Sequence, residues 1–260
     1  MTANPPAAAS PHPAEAQAAP KSEKSAIWRF LAVLVIPFMG LLAKITIIDG
    51  GKAPATGAFV LTPNHYSEID PLVMGVAMWK VGRMPRFLAK ASLFRIPVLG
   101  AILRVSNQVP VERAGTVRGS DPLAAARQIT EHGLAVIIYP EGSLTREPDL
   151  WPMRGKLGAV RMALDADIPI IPIAHWGTQL VLPRYGKLSV FPRKKIVVKF
   201  GDPVDLSAFR DKPKTTKNLG DATELVMGAI TALLEELRDE KAPAERWDPA
   251  AKHQAETGHF

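Results

Sequence analysis

Two short clusters in this chain of 260 residues carry side chains suited to proton transfer: Asn64-His65-Tyr66-Ser67-Glu68-Ile69-Asp70 and Tyr139-Pro140-Glu141-Gly142-Ser143. An imidazole with an unperturbed pKa of ~6.5 serves as a general base near neutral pH. An aspartate five residues later, across a tight turn, can accept a hydrogen bond from the second ring nitrogen, which would fix the tautomer and stabilise the imidazolium. Such a pair needs no protein nucleophile when the substrate supplies a hydroxyl. Each residue also has a plainer reading. Asp70-Pro71 is a helix N-cap with proline at the first helical position, and His65 is then a hydrogen-bonded turn histidine. His175 reads as a core or turn histidine. No metal site is expected: one His and one Asp five apart supply too few ligands, and neither cysteine nor His-x-x-x-His occurs. Ser143 lacks the Gly-x-Ser-x-Gly context of a nucleophile elbow.

The elements around these clusters read as α/β. AFVLTP (58–63) is a short β-prone run, PLVMGVAMW (71–79) has helical length, and RFLAK (86–90) is another strand. Asp121-Pro122 opens a helix that stops at Gly133. LAVIIYP (134–140) is a buried strand, and a helix around 155–166 follows. IPIIPIA (168–174) and KIVVKF (195–200) are strands, and 217–240 is a long final helix. This alternation implies a mixed, largely parallel sheet flanked by helices over residues 49–240. Both clusters follow strands directly, where open α/β sheets place their chemistry. Trp151 and Met153 read as loop packing.

The flanks read differently. Residues 1–25 are rich in Pro, Ala and Ser without hydrophobic periodicity and are expected to be a disordered tail; 241–260 is expected to be a loose C-terminal tail. Phe30–Ala43 is apolar, interrupted by Pro37 and Gly40 and flanked by Arg29 and Lys44. It is shorter than the ~20 apolar residues of a spanning helix. Residues 26–48 are therefore expected to be a membrane-docking helical segment dipping into one leaflet, with Trp28 and Phe30 at the headgroups. A buried core helix is the alternative.

Composition narrows the chemistry. The absence of cysteine excludes disulfides, thiolate metal sites and any cysteine acyl-enzyme. Of a formal charge of +7, all resides in residues 26–120, with eleven basic and four acidic side chains; 121–260 holds nineteen of each. That clustering fits anionic lipid, a phosphate-bearing substrate, an acidic carrier protein or nucleic acid. No aromatic interleaving of the RNA-binding kind accompanies it, so nucleic acid is not expected as a partner.

Asn64-His65-x-x-x-x-Asp70, Val111-Glu112-Arg113, Pro140-Glu141-Gly142-Ser143 and Ile168-Pro169-Ile170-Ile171-Pro172-Ile173, in this order, resemble the motif blocks of the glycerolipid acyltransferases. The similarity runs from about Gly50 to Gly201 and is greatest to the bacterial 1-acyl-sn-glycerol-3-phosphate acyltransferases. The resemblance implies acyl transfer from acyl-CoA or acyl carrier protein to the sn-2 hydroxyl of a lysophospholipid, giving phosphatidic acid. His65 would be the base, Asp70 its orienting partner, and the attack direct. It also implies a phosphate site assembled from Arg113, Lys90, Glu141, Gly142, Ser143, Arg146 and Lys156, the last in a Lys-x-Gly-Ala element. Within it Gly142 would let the backbone approach, and Glu141 would hold the turn or the acceptor's polar groups. Here Leu144-Thr145 separate Ser143 from Arg146, which displaces the arginine by two residues from the usual Glu-Gly-Thr-Arg. Pro169 and Pro172 would shape the strand and acyl channel. The resemblance further implies no resident cofactor or metal, an anionic membrane surface as partner, and a peripheral or monotopic place on the cytoplasmic face of the cell membrane. Within the family, glycerol-3-phosphate, a lyso-aminolipid or another lysophospholipid are alternative acceptors; a non-enzymatic anionic-lipid-binding module is the remote alternative.

Overall fold

The computed structural model describes residues 23–111 and 122–255. A helix, α1 (Ala26–Leu42), leads directly into strand β1 (Ala43–Ile48). Then follow β2 (Phe59–Pro63), α2 (Asp70–Lys80), β3 (Arg86–Lys90), α3 (Pro97–Val105), β4 (Val109–Val111), α4 (Pro122–Glu131) and β5 (Ala135–Ile137). The chain closes with α5 (Gly158–Ala166), β6 (Ile170–Trp176), β7 (Lys194–Phe200), α6 (Ser207–Arg210) and α7 (Thr216–Arg238). One seven-stranded sheet has the order β1-β7-β6-β2-β5-β3-β4. β2 to β6 run parallel, β7 runs antiparallel to β6, and β1 runs parallel to β7.

The central strands β2, β5 and β6 are buried almost throughout, as their unbroken apolar runs require when helices cover both faces. One layer of core joins Phe59, Leu61 and Ile137 to Met74 and Met78 of α2 and Met39 and Leu42 of α1. The other joins Val60, Val136 and Ile170 to Val160 of α5 and Val226 and Ile230 of α7. Pro172 falls just before β6 begins to pair with β7, and its carbonyl accepts from Gly201 N at 2.8 Å. A missing N–H is tolerated at the limit of a ladder.

Three boundaries depart from the sequence reading. Residues 43–48 are not helical; they pair with β7 in the register Ala43↔Lys194 and extend the sheet. Their alternation of half-buried and exposed positions is that of an edge strand, hidden in the sequence by the apolar run before it. At the N-terminus, Glu23 receives Arg83 Nε at 2.6 Å and Arg86 Nη1 at 2.5 Å, tying residues before α1 to the core. At the C-terminus, Trp247 O accepts from Arg154 N at 2.8 Å and Arg246 Nη1 reaches Thr231 Oγ1 at 3.0 Å, so this stretch packs on α7 instead of trailing away.

α1 is a single helix with Pro37 inside it, and apolar side chains occupy both its buried and its exposed face. Trp28, Met39 and Leu42 are buried; Phe30, Val33, Leu34, Phe38 and Leu41 are exposed. Trp28 therefore packs inward against α2 and is not displayed as expected, whereas Phe30 is. No helix among the described residues is long and apolar enough to cross a membrane.

Candidate active site

The ends of β2, β5 and β6 lie side by side, and the chain leaving each supplies part of one polar cluster. Asp70, at the start of α2, is fully buried, and four donors hydrogen-bond its carboxylate. His65 Nδ1, Tyr66 N and Ser67 N each lie 2.9 Å from Oδ2, and Thr178 Oγ1 donates to Oδ1 at 2.6 Å. His175 Nε2 stands 3.6 Å from Oδ2. Burial alone would raise the Asp70 carboxyl; the His175 and His65 rings and the Thr178 hydroxyl more than offset it and hold it below its ordinary value. Asp70 is the first residue of α2, but the N-cap position falls to Ile69 and no side chain caps the helix: the carboxylate turns back to the amides of Tyr66 and Ser67 and to the His65 ring, so the ring-orienting geometry is present and the capping reading is corrected.

His65 is largely but not wholly buried, and its ring stacks on Tyr139 with centroids 4.0 Å apart. With Nδ1 facing Asp70, Nε2 is the nitrogen left for a substrate. Glu141 fixes the backbone beneath the ring: Oε1 accepts from His65 N at 2.9 Å and Oε2 from Met153 N at 3.0 Å. Thr145 N donates to His65 O at 2.7 Å. Glu141 is fully buried, and desolvation pushes its carboxyl up to about 8 despite those two amide donors. Its two oxygens thus brace the turn, and Glu141 is not among the residues that line the cavity beside His65. Trp151 and Met153 are buried packing residues, as expected.

Residues beyond the motifs complete the scaffold. Asn64 clamps the end of β6 from both sides, its Oδ1 accepting from His175 N at 2.9 Å and its Nδ2 donating to His175 O at 3.1 Å. Tyr66 Oη donates to the same carbonyl at 2.7 Å. The His175 Nε2–H points at Asn64 O, 3.0 Å away, and burial lowers this histidine's pKa. His175 is thus a core histidine. Thr178 was not anticipated, because nothing local marks a threonine 108 residues from Asp70 as its partner; the only sequence signal is its place just after a strand whose neighbour carries the histidine.

His65, Gly142, Lys156, Gly158 and Ala159 line one cavity of about 340 Å³, walled on its apolar side by Phe87 and Leu88. Gly142 has φ +71, a conformation that disfavours side chains, and the Lys156 stem lies over it so closely that a Cβ would stand 2.9 Å from Cδ. Lys156 N donates to Pro140 O at 2.7 Å. The amino end of α5 opens on the same cavity, and no side chain caps it. A lysine and an uncapped helix start together favour an anion. Of the other expected phosphate residues, Ser143 is half-buried in the adjoining turn with Oγ 3.4 Å from Leu144 O. Arg146 is buried and does not line the cavity; the two extra residues carry it into the body of the loop. Lys90 ends β3, and Arg113 lies outside the described residues.

Residues 44–176, slightly more than half the chain, match the profile of the family described as Acyltransferase. The chain belongs to the acyltransferase family. Among its relatives, a 1-acyl-sn-glycerol-3-phosphate acyltransferase of Limnanthes douglasii is 31% identical over 173 residues, covering 66% of this chain and 58% of that protein. One of Haemophilus influenzae is 26% identical over 176 residues, covering 66% and 68%. The chain spans about half to six-tenths of the length of the first curated relatives it matches. The crystal structure of the 1-acyl-sn-glycerophosphate acyltransferase of Thermotoga maritima superposes with a TM-score of 0.58 at 22% identity, over 83% of this chain and 81% of that one. That likeness establishes a shared fold. The acyltransferase match includes His65, Asp70 and the Glu141 turn and stops at Trp176, just short of Thr178.

Proposed function

We propose that this acyltransferase-family chain moves a fatty acyl group from an acyl-CoA or acyl-ACP thioester to the sn-2 hydroxyl of 1-acylglycerol-3-phosphate, giving phosphatidic acid at a membrane surface. The observation that carries the reading is the His65–Asp70 pair opening on a cavity that also holds Lys156 and the amino end of α5. The relatives' names supply the acceptor. His65 Nε2 takes the proton of the acceptor hydroxyl as its oxygen attacks the thioester carbonyl, and Asp70 stabilises the imidazolium that forms. Collapse of the tetrahedral intermediate expels the thiolate, which recovers the proton, so no acyl-enzyme forms. Lys156, Gly142 and the α5 amides hold the acceptor phosphate, with Arg113 and Lys90 as further cations; neither a metal nor a resident cofactor enters the scheme. The exposed apolar faces of α1 and of α3 support membrane docking, Val98 and Val105 on α3 being among the most exposed aliphatic side chains. The reading places the protein peripherally on the cytoplasmic face.

The test is thiol release from acyl-CoA and acyl-ACP with lysophosphatidic acid, glycerol-3-phosphate and a phosphate-free lysolipid run in parallel. Lysophosphatidic acid is expected to be the preferred acceptor, and His65→Ala to lower kcat by roughly 10²–10⁴-fold with an unchanged circular dichroism spectrum. Near-normal release by His65→Ala refutes the general-base role; preference for either other acceptor refutes the substrate assignment.

A further inference from the structure

The connection from β6 to β7 holds a surface that the site does not use. Between Val181 and Phe200 the sequence has six basic residues, Arg184, Lys187, Arg193, Lys194, Lys195 and Lys199, and no acidic one. Because residues 121–260 as a whole are neutral, this cluster is invisible to charge counted over long stretches. Among the described residues, Lys187, Arg193, Lys194 and Lys195 form no ion pair, whereas Lys199 is held by Glu236. The apolar side chains of the same connection face outward: Phe191 is 87% exposed, and Leu188 and Val190 are each 47% exposed. The segment is nevertheless braced, with Ser67 Oγ donating to Leu182 O at 2.6 Å and Ser189 N to Val181 O at 2.7 Å.

Exposed aromatic and aliphatic tips set among cations fit one surface well: the headgroup layer of an anionic bilayer, where rings and chains insert and Lys and Arg meet lipid phosphates. The position agrees. Lys194 pairs with Ala43 in the sheet register, so the connection ends beside the C-terminal end of α1, where Phe38 and Leu41 are also exposed. β7 opposes β6, which puts its first residues on the edge of the sheet where His65 lies.

We infer that residues 183–195 form a second membrane-docking element, which binds anionic lipid through Phe191, Val190 and the flanking cations and seats the catalytic edge on the bilayer. This deepens the membrane reading above and rests on it. The test uses the full chain, sedimented with vesicles of phosphatidylcholine alone or mixed with phosphatidylglycerol. The triple variant Lys187→Glu/Arg193→Glu/Lys195→Glu is expected to lose anionic-vesicle binding on the order of a hundredfold, from about a fivefold contribution per cation, with little change on neutral vesicles. Val190→Ser/Phe191→Ser should weaken binding to both, and both variants should keep the wild-type melting temperature and turnover of detergent-dispersed substrate. Unchanged binding by both variants overturns the inference. So does unchanged vesicle binding with a raised KM for acyl-ACP alone, which assigns the surface to an acidic carrier protein. Failure of the proposed activity shows separately, as absent thiol release by the wild-type chain whatever its vesicle binding.

Discussion

Asp70 and Glu141 are both fully buried carboxyls gripping the His65 segment, yet their surroundings push them in opposite directions. Asp70 meets two histidine rings, a hydroxyl and two amides and stays ionised; Glu141 meets two amides in a drier place and is raised from 4.5 to about 8. The linkage signs differ accordingly. Asp70 contributes stability that is present above its unfolded pKa and lost as acid carries the pH down through its depressed folded value. Glu141 contributes stability that is complete below pH 4.5 and lost as the pH rises through about 8. The melting temperature of the wild-type chain is therefore expected to decline between these two values. Glu141→Gln keeps a carbonyl for one amide but turns an N–H₂ toward the other, costing about 1–3 kcal/mol at pH 6. It removes the titration as well, so its melting temperature should be flatter over the same window. Thermal unfolding across a pH series checks this: parallel curves for the two proteins would place the titrating group elsewhere.

At the scale of elements, the junction after β6 sets the geometry of the site. Gly177 has φ +111, and a Cβ there would lie 2.2 Å from Lys195 O, so the turn that delivers Thr178 to Asp70 closes only without a side chain. Gly177→Ala is expected to lower stability by about 2–4 kcal/mol and to depress kcat, because β7 must yield or Thr178 must withdraw. Thr178→Val separates the two effects by keeping the turn and removing only the hydroxyl; a normal kcat in Thr178→Val beside a low one in Gly177→Ala would assign the loss to the turn alone. The sequence revealed the elements whose patterns are local. The buried runs of β2, β5 and β6 and the Gly133 stop appear as read, and with them the pairing of His65 with Asp70. It concealed what depends on distant partners. β1 is strand only because β7 lies beside it, Glu141 is a brace only because Met153 returns to it, and Arg146 is buried by the path of a loop that motif spacing does not describe.

At the scale of the molecule, the reversal of direction between β6 and β7 has a consequence for orientation. β1 and β7 begin on the edge where β2 and β5 end, so the C-terminal end of α1, the β6–β7 connection and the His65 cavity share one side of the sheet. Two apolar surfaces fixed to one rigid sheet and facing one plane bind a bilayer together, and their contributions to partitioning then add as free energies. Surfaces facing different ways could engage only one at a time, and losing either would leave the other at full strength. Phe38→Ser/Leu41→Ser on α1 and Val190→Ser/Phe191→Ser on the connection distinguish the cases. Each pair alone is expected to lower vesicle partitioning by roughly tenfold or more, from about 25 cal/mol per Å² of apolar surface withdrawn from water. Combined, the fold-changes should multiply. If either pair alone leaves partitioning near the wild-type value and only the fourfold variant loses it, the surfaces do not share a plane, and the edge that carries His65 is not the edge that meets the lipid.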